Sequence, residues 1–279
     1  MSDDSKIEWT SATWNPVSGC TKVSPGCDHC YAETFAERWR GIPGHHFENG
    51  FDVTRRPERL EQPLHWKRPR RIFVNSMSDL FHDEVSTAFI AAVFDVMRQT
   101  PQHTYQILTK RHARMRSLAR TAAFGEGWPL PNVWLGVSVE DQKWADIRVP
   151  ALLETPAAVR FVSAEPLLGP VDLTWLGGMD ALQQDWFGSA AGGTGAPHPL
   201  LDWVIAGGES GPGARPCDLA WLRSLGRQCA EADVPFFCKQ FGTVLGRQIG
   251  AGRKGGDWDA WPEDLRVRQF PRITEAAAA

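Results

Sequence analysis

Along the chain, short apolar runs alternate with stretches whose apolar positions recur every three or four residues. Seven runs read as strands: 12–17, 71–75, 104–108, 133–137, 159–162, 203–206 and 234–238. Each turns polar or glycine-rich at its C-terminal end. Between them the helical period appears. Tyr31, Phe35 and Trp39 form one stripe over residues 31–40, which Gly41 and Pro43 end. Ser86 caps a helix reaching Thr100, with Phe89, Ile90, Val93 and Met97 facing the core, and Pro101 stops it. A basic helix carries Arg111, Arg114, Arg116 and Arg120. The next carries Trp144 and Ile147 and is expected to break or restart at Pro150. Asp218 caps another, with Leu222, Leu225 and Cys229 on one face.

Strands separated by helices imply parallel βαβ units. Either an open doubly wound sheet or a full or partial (β/α) TIM-type barrel fits this rhythm, and in both the ligand sits at the C-terminal strand ends. Polar groups recur there: Ser76, Ser78 and Asp79; Thr109, Lys110 and Arg111; Ser138 and Glu140; Ser163 and Glu165; Gly207, Gly208, Glu209 and Ser210; Lys239 and Gln240. A barrel gathers its site from every strand end, so this even spread favours the barrel. The expected organisation is a barrel domain over 1–242, with a loop or lid insertion at 174–202. A peripheral extension with a frayed end follows over 243–279.

Composition narrows the partners. The 279 residues carry a net charge of −3, so a polyanion site must be a local patch. The arginines of 55–71 and of 111–120 are the candidates for such a groove, against the plainer reading of a solvated face. Apolar runs are far too short for a membrane span, and the polar start of the chain does not read as a signal peptide. A cytoplasmic, reducing location is expected, in which clustered cysteines read as metal ligands rather than disulfides.

Such a cluster follows the first strand. Three of the six cysteines, Cys20, Cys27 and Cys30, lie in a C-x6-C-x2-C loop with a Pro25-Gly26 turn. Three thiolates in one place call for a metal. Zinc would want a fourth ligand, for which His29, His45 and His46 are available. An iron–sulfur cluster bound by only three cysteines keeps one iron open, and the position of the loop at the expected cleft favours that reading. Cys229 reads as core, while Cys217 and Cys238 are minor candidates for a fourth ligand. Lys110 and Arg111 suit a carboxylate or phosphate, and Glu140 and Glu165 suit ribose hydroxyls or a helix N-terminus. The glycines from Gly207 onward suit close backbone approach to a ligand.

Several motifs together carry a resemblance. They are Trp9-Thr-x-x-Thr-Trp-Asn-Pro-Val-x-Gly-Cys20, Ser24-Pro-Gly-Cys-x-x-Cys-Tyr-Ala32, Leu108-Thr-Lys-Arg111 and Gly136-Val-Ser-Val-Glu-Asp-Gln142. To these are added Ser163-Ala-Glu-Pro-Leu167 and Gly207-Gly-Glu-Ser-Gly-Pro-x-Ala-Arg-Pro216. The chain resembles the phage-associated three-Cys-motif proteins, which look like members of the radical S-adenosylmethionine superfamily. The resemblance implies a [4Fe–4S] cluster on Cys20, Cys27 and Cys30, with S-adenosylmethionine on its open iron. It further implies a 5′-deoxyadenosyl radical that modifies or repairs a substrate. Lys110, Arg111 and Glu209 are the expected catalytic residues. The cofactor would be held by Ser76, Ser78, Asp79, Ser138, Glu140, Ser163, Glu165, Gly207, Gly208, Ser210 and Lys239. A flavodoxin- or ferredoxin-like electron donor is implied, with a nucleic acid, a nucleotide base or a phage-encoded protein as candidate partner. The superfamily's Gly-Gly-Glu after strand two is replaced by Ser76-Met-Ser-Asp79. The alternatives are a zinc-stabilised binding module without catalysis and a cluster-bearing redox or sensing protein.

Overall fold

The computed structural model describes residues 5–183 and 200–271. Seven strands form one parallel sheet: β1 (Ala12–Trp14), β4 (Arg71–Val74), β5 (Thr104–Thr109), β6 (Val133–Ser138), β7 (Val159–Ala164), β8 (Trp203–Gly207) and β9 (Phe236–Gln240). They lie in the order β1-β4-β5-β6-β7-β8-β9. Parallel neighbours in chain order, joined largely through helices, give the α/β topology of a partial (β/α) TIM-type barrel.

The first apolar run is two strands, not one. Pro16 lies between β1 and β2 (Val17–Ser18), and β2 leaves the parallel sheet to pair antiparallel with β3 (Thr54–Arg55). The cysteine loop therefore hangs from this small ribbon. Two-residue strands have no readable alternation, so the sequence pattern merges β2 with β1 and misses β3.

The helices follow the capping logic, with two corrections. In α2 (Thr87–Gln99), Ser86 accepts from the Phe89 amide, and Ile90, Val93 and Met97 are buried. Asp141 and Asp218 cap α4 (Gln142–Leu153) and α5 (Leu219–Glu231) in the same way. However, α4 runs straight through Pro150. In α1 (Tyr31–Glu37) the buried residues are Ala32 and Ala36, while Tyr31 and Phe35 are exposed. The expected aromatic stripe instead runs along the outside, where Phe35 meets Trp39 and Phe47. The basic helix is α3 (His112–Ala119), and α6 (Gly242–Gln248) follows β9.

The chain packs as two compact units, Met1–Gly136 with Thr155–Ala158, and Val137–Glu154 with Val159–Ala279. In the first, Trp9 packs against Phe73 and Trp14 against Tyr105, all four buried, and the Trp14 indole donates to the Arg59 carbonyl. In the second, Trp203 packs against Phe161, Phe237 and Phe270. Each such side chain contributes about 2–3 kcal/mol by leaving water.

Residues 174–183 and 200–202 and the described part of the C-terminal extension enter this packing. Leu176, Ala181, Leu182 and Leu201 are buried, while 184–199, most of the expected lid, lies outside the described residues. The described part of the extension, 243–271, packs within the second unit. Its Arg268 pairs antiparallel with Phe237, the Cys238 amide donates to Val267, and the Gln269 amide donates to Phe236. The expected frayed end, 272–279, also lies outside the described residues.

Candidate functional site

The predicted site residues fall into two groups, one in each unit. The first begins at Gly19, which holds a left-handed φ of 86°. A Cβ there would sit 2.2 Å from the Asp52 carbonyl oxygen, so the Phe51–Asp52 backbone requires glycine. The Cys20 amide donates to Phe51 and the Gly19 amide to Met77, which pins the root of the loop. A short 3-10 turn at Pro25–Cys27 reverses the chain, and Cys30 then stands at the N-cap of α1 without using its thiol as a cap. All three cysteines are free and partly exposed.

The residues after β4 build the floor of this loop. Asn75 takes a left-handed φ of 61° and donates to the Ser78 hydroxyl, which in turn donates to Val17. Ser76 bonds the Asn15 side chain, and Tyr31 donates to the Ser76 carbonyl. Asp79 is buried. Its carboxylate accepts from the Thr109 hydroxyl and from the Lys110 and Phe81 amides. Ser76, Ser78 and Asp79, the residues expected to hold a cofactor, brace the loop and the turn after β5.

That turn aims Arg111 at the loop. The Arg111 amide donates to Thr109, and its guanidinium reaches the Thr21 hydroxyl at 2.7 Å and Asp83 at 3.3 Å. Burial pushes the Cys20 thiol up to about 12; Asp79 and Cys27 push the same way and Arg111 opposes them. Burial, with Arg111 adjacent, also lowers the His82 pKa. His82 Nδ1 accepts from the Glu84 amide, which assigns the proton to Nε2 and directs it to Thr21 Oγ at 2.9 Å. Thr21 and His82 were not singled out in the sequence; Thr109 was, as a strand-end polar residue, but not its bond to Asp79. Only the spacing of Thr109 from Arg111 offered a signal, because the other contacts join distant segments.

The second group is largely paired within itself. Glu140 and Arg148 form a fully buried ion pair at 2.9 Å, and Arg148 also donates to the Ser138 carbonyl. Glu140 therefore has no exposed oxygen to offer a ribose, contrary to expectation. Glu165 accepts from Ser163 and pairs with Lys239 at 2.9 Å. Glu209 is held by Arg215 through both carboxylate oxygens. Gln240, inside β9, donates to Ser210. A Cβ on Gly208 would stand 2.2 Å from the Phe241 carbonyl oxygen, and one on Gly207 would meet Glu165 at 2.8 Å. These glycines admit the chain's own backbone and carboxylate where a ligand was expected.

The basic stretches are also partly internal. Arg114 caps the Phe81, His82 and Val85 carbonyls, and Arg56 bonds Ser18 and His46. Cys217, Cys229 and Cys238 are buried, and burial raises all three thiols.

The donor chemistry of the loop fits a metal–sulfur centre: three thiols on one pinned segment, none of them in a disulfide. Among the described residues no group of three His, Cys, Asp or Glu side chains is already gathered around a metal position. A model for a protein family of unknown function, DUF5131, matches residues 4–264. The chain belongs to the DUF5131 family. No curated protein and no solved structure matches it. For this DUF5131 chain the matched span includes the cysteine loop and both groups of polar strand-end residues. No helix among its described residues is long and apolar enough to cross a membrane.

Proposed function

We propose that this DUF5131 protein is a radical S-adenosylmethionine enzyme, with Cys20, Cys27 and Cys30 as ligands of a [4Fe–4S] cluster. The carrying observation is three free thiols on one loop, braced from below by the Asn75–Asp79 segment and flanked by Arg111. When bound, the cluster and S-adenosylmethionine would supply reductive generation of a 5′-deoxyadenosyl radical.

The chain's own residues would do the rest. Arg111, anchored through Thr109 and Asp79, offers fixed positive charge beside the thiols and is the residue here best suited to a carboxylate. Thr21, between Arg111 and His82, holds the first turn of the loop in place. Asp79 is a positioning residue. A nucleic acid or nucleotide base is the proposed substrate, a flavodoxin- or ferredoxin-like protein the proposed electron donor, and the reducing cytoplasm the proposed location.

Anaerobic reconstitution with iron and sulfide tests this reading. The expected result is a brown protein with iron and sulfide in cluster stoichiometry, releasing 5′-deoxyadenosine from S-adenosylmethionine on reduction. A colourless protein holding one zinc per chain would instead assign the loop to a structural metal. A reduced cluster that does not bind S-adenosylmethionine would assign it to electron transfer or sensing.

A further inference from the structure

A further candidate site, apart from the cysteine loop, lies within the second unit. A cavity of about 760 Å³ opens between the Gly211–Ala214 segment, Thr243 and Arg247 of α6, and the loop from Ala251 to Asp257. That volume falls in the range of small-molecule sites. Only the far end of the glycine run after β8, Gly211 and Gly213, reaches it; none of the expected catalytic or cofactor-holding side chains does.

Its chemistry is one-sided. Arg247, Arg253 and Lys254 line it against a single carboxylate, Asp257. Asp257 is already engaged as the N-cap of the turn at Trp258–Ala260. The three cations are exposed and make no salt bridge or side-chain hydrogen bond among the described residues. By contrast, Arg215, Arg223, Arg266 and Arg268 of the same unit are all bonded. The protein as a whole carries net negative charge, so the local excess of cations is a feature of this site.

The loop that carries two of them is held in shape. The Ala251 amide donates to Gly246 at 2.7 Å and the Asp257 amide to Ala251 at 3.0 Å. Gly246 and Gly255 touch so closely that a Cβ on Gly246 would lie 2.4 Å from Gly255 Cα. Gly252 and Gly255 take left-handed φ values of 78° and 68°. Arg253 and Lys254 thus project from a preorganised turn, which lowers the ordering cost of binding.

We propose that this cavity binds phosphate groups, presented either by a free polyphosphate-bearing nucleotide or by successive phosphates of a single nucleic-acid strand. Cations suited to phosphate and glycine-rich walls that permit close approach carry the assignment. Among the described residues no aromatic side chain lines the cavity, so they offer recognition of phosphate rather than of a stacked base. The site is independent of any cluster on the cysteine loop, and binding can be measured on the full chain without iron.

The test is fluorescence anisotropy with a short labelled thymidine oligonucleotide across a salt series, alongside calorimetry with inorganic tripolyphosphate. The R253Q/K254Q double variant and R247Q are compared with the parent after unchanged melting confirms folding. Strand binding whose logarithmic salt slope shrinks by about 1.4 in the double variant supports the proposal, at about 0.7 per single-strand phosphate contact. Tripolyphosphate that binds alone and displaces the strand identifies a free polyphosphate as the source. A strand that resists displacement identifies nucleic acid. If neither probe binds the parent, or if the double variant and R247Q bind as the parent does, the proposal fails.

Discussion

The Thr109 hydroxyl lies 2.8 Å from both carboxylate oxygens of Asp79. Because the same carboxylate also accepts the Lys110 and Phe81 amides, one buried acid fixes the turn that delivers Arg111. Asp79→Ala is expected to strand several buried donors and destabilise the protein by about 2–4 kcal/mol. Thr109→Val removes one bond and should cost about 1 kcal/mol. Urea unfolding checks both, and equal losses would contradict the hub role given to Asp79.

Each of Cys20→Ala, Cys27→Ala and Cys30→Ala should abolish stoichiometric iron and sulfide after anaerobic reconstitution, while Cys229→Ala should retain both. The melting temperature separates the readings further. A substitution that unfolds the protein points to a structural metal. One that leaves melting of the iron-free protein unchanged but blocks loading points to a cluster ligand.

Glu140 and Arg148 are both fully buried, and Arg148 also lies 4.1 Å over the Trp144 ring. Removing one partner leaves the other charge buried without its counter-ion. Glu140→Gln is therefore expected to destabilise by about 3–5 kcal/mol, read from the denaturation midpoint. A neutral result would return Glu140 to the list of ligand-binding candidates.

Gly208 and Gly256 make a matched pair. A Cβ at Gly208 would strike the Phe241 backbone, whereas one at Gly256 meets nothing within 4 Å. Gly208→Ala should cost roughly 2 kcal/mol or more, and Gly256→Ala should stay within about 0.5 kcal/mol of the parent.

His46 supplies a pH dependence. Burial, together with Arg56, Arg59 and His45, lowers its pKa to about 4, with Glu58 opposing. The unfolded chain therefore binds more protons than the folded one between the ordinary histidine pKa and about 4. Stability should fall as pH drops through that window and level off below it. His82 and His103 shift in the same direction, so the comparison is between parent and His46→Gln. The variant should lose less stability between neutral and mildly acidic pH, and an identical pH profile would remove His46 from the account.

The strands of the main sheet were legible because each is an apolar run with a polar end. The caps at Ser86 and Asp218 were legible because the residue types act locally. What escaped the sequence is what depends on contact at a distance. The β2–β3 ribbon joins residues that lie far apart in the chain, and Pro150 is tolerated inside a helix by its surroundings. Strand-end polarity marked residues that the fold also pairs within the chain. Glu140, Glu165 and Glu209 face cations of their own chain, and Gly208 faces its own backbone. A ligand and an internal partner demand the same residue types, and spacing alone does not distinguish them.

The pairing of Val267–Gln269 with β9 has a consequence for handling the protein. β9 is the last strand of the sheet, and these residues occupy part of its outer backbone. A chain shortened before Val267 would offer Phe236, Phe237 and Cys238 as an open, apolar strand to any neighbouring molecule. The C-terminal segment therefore covers part of this edge of the sheet.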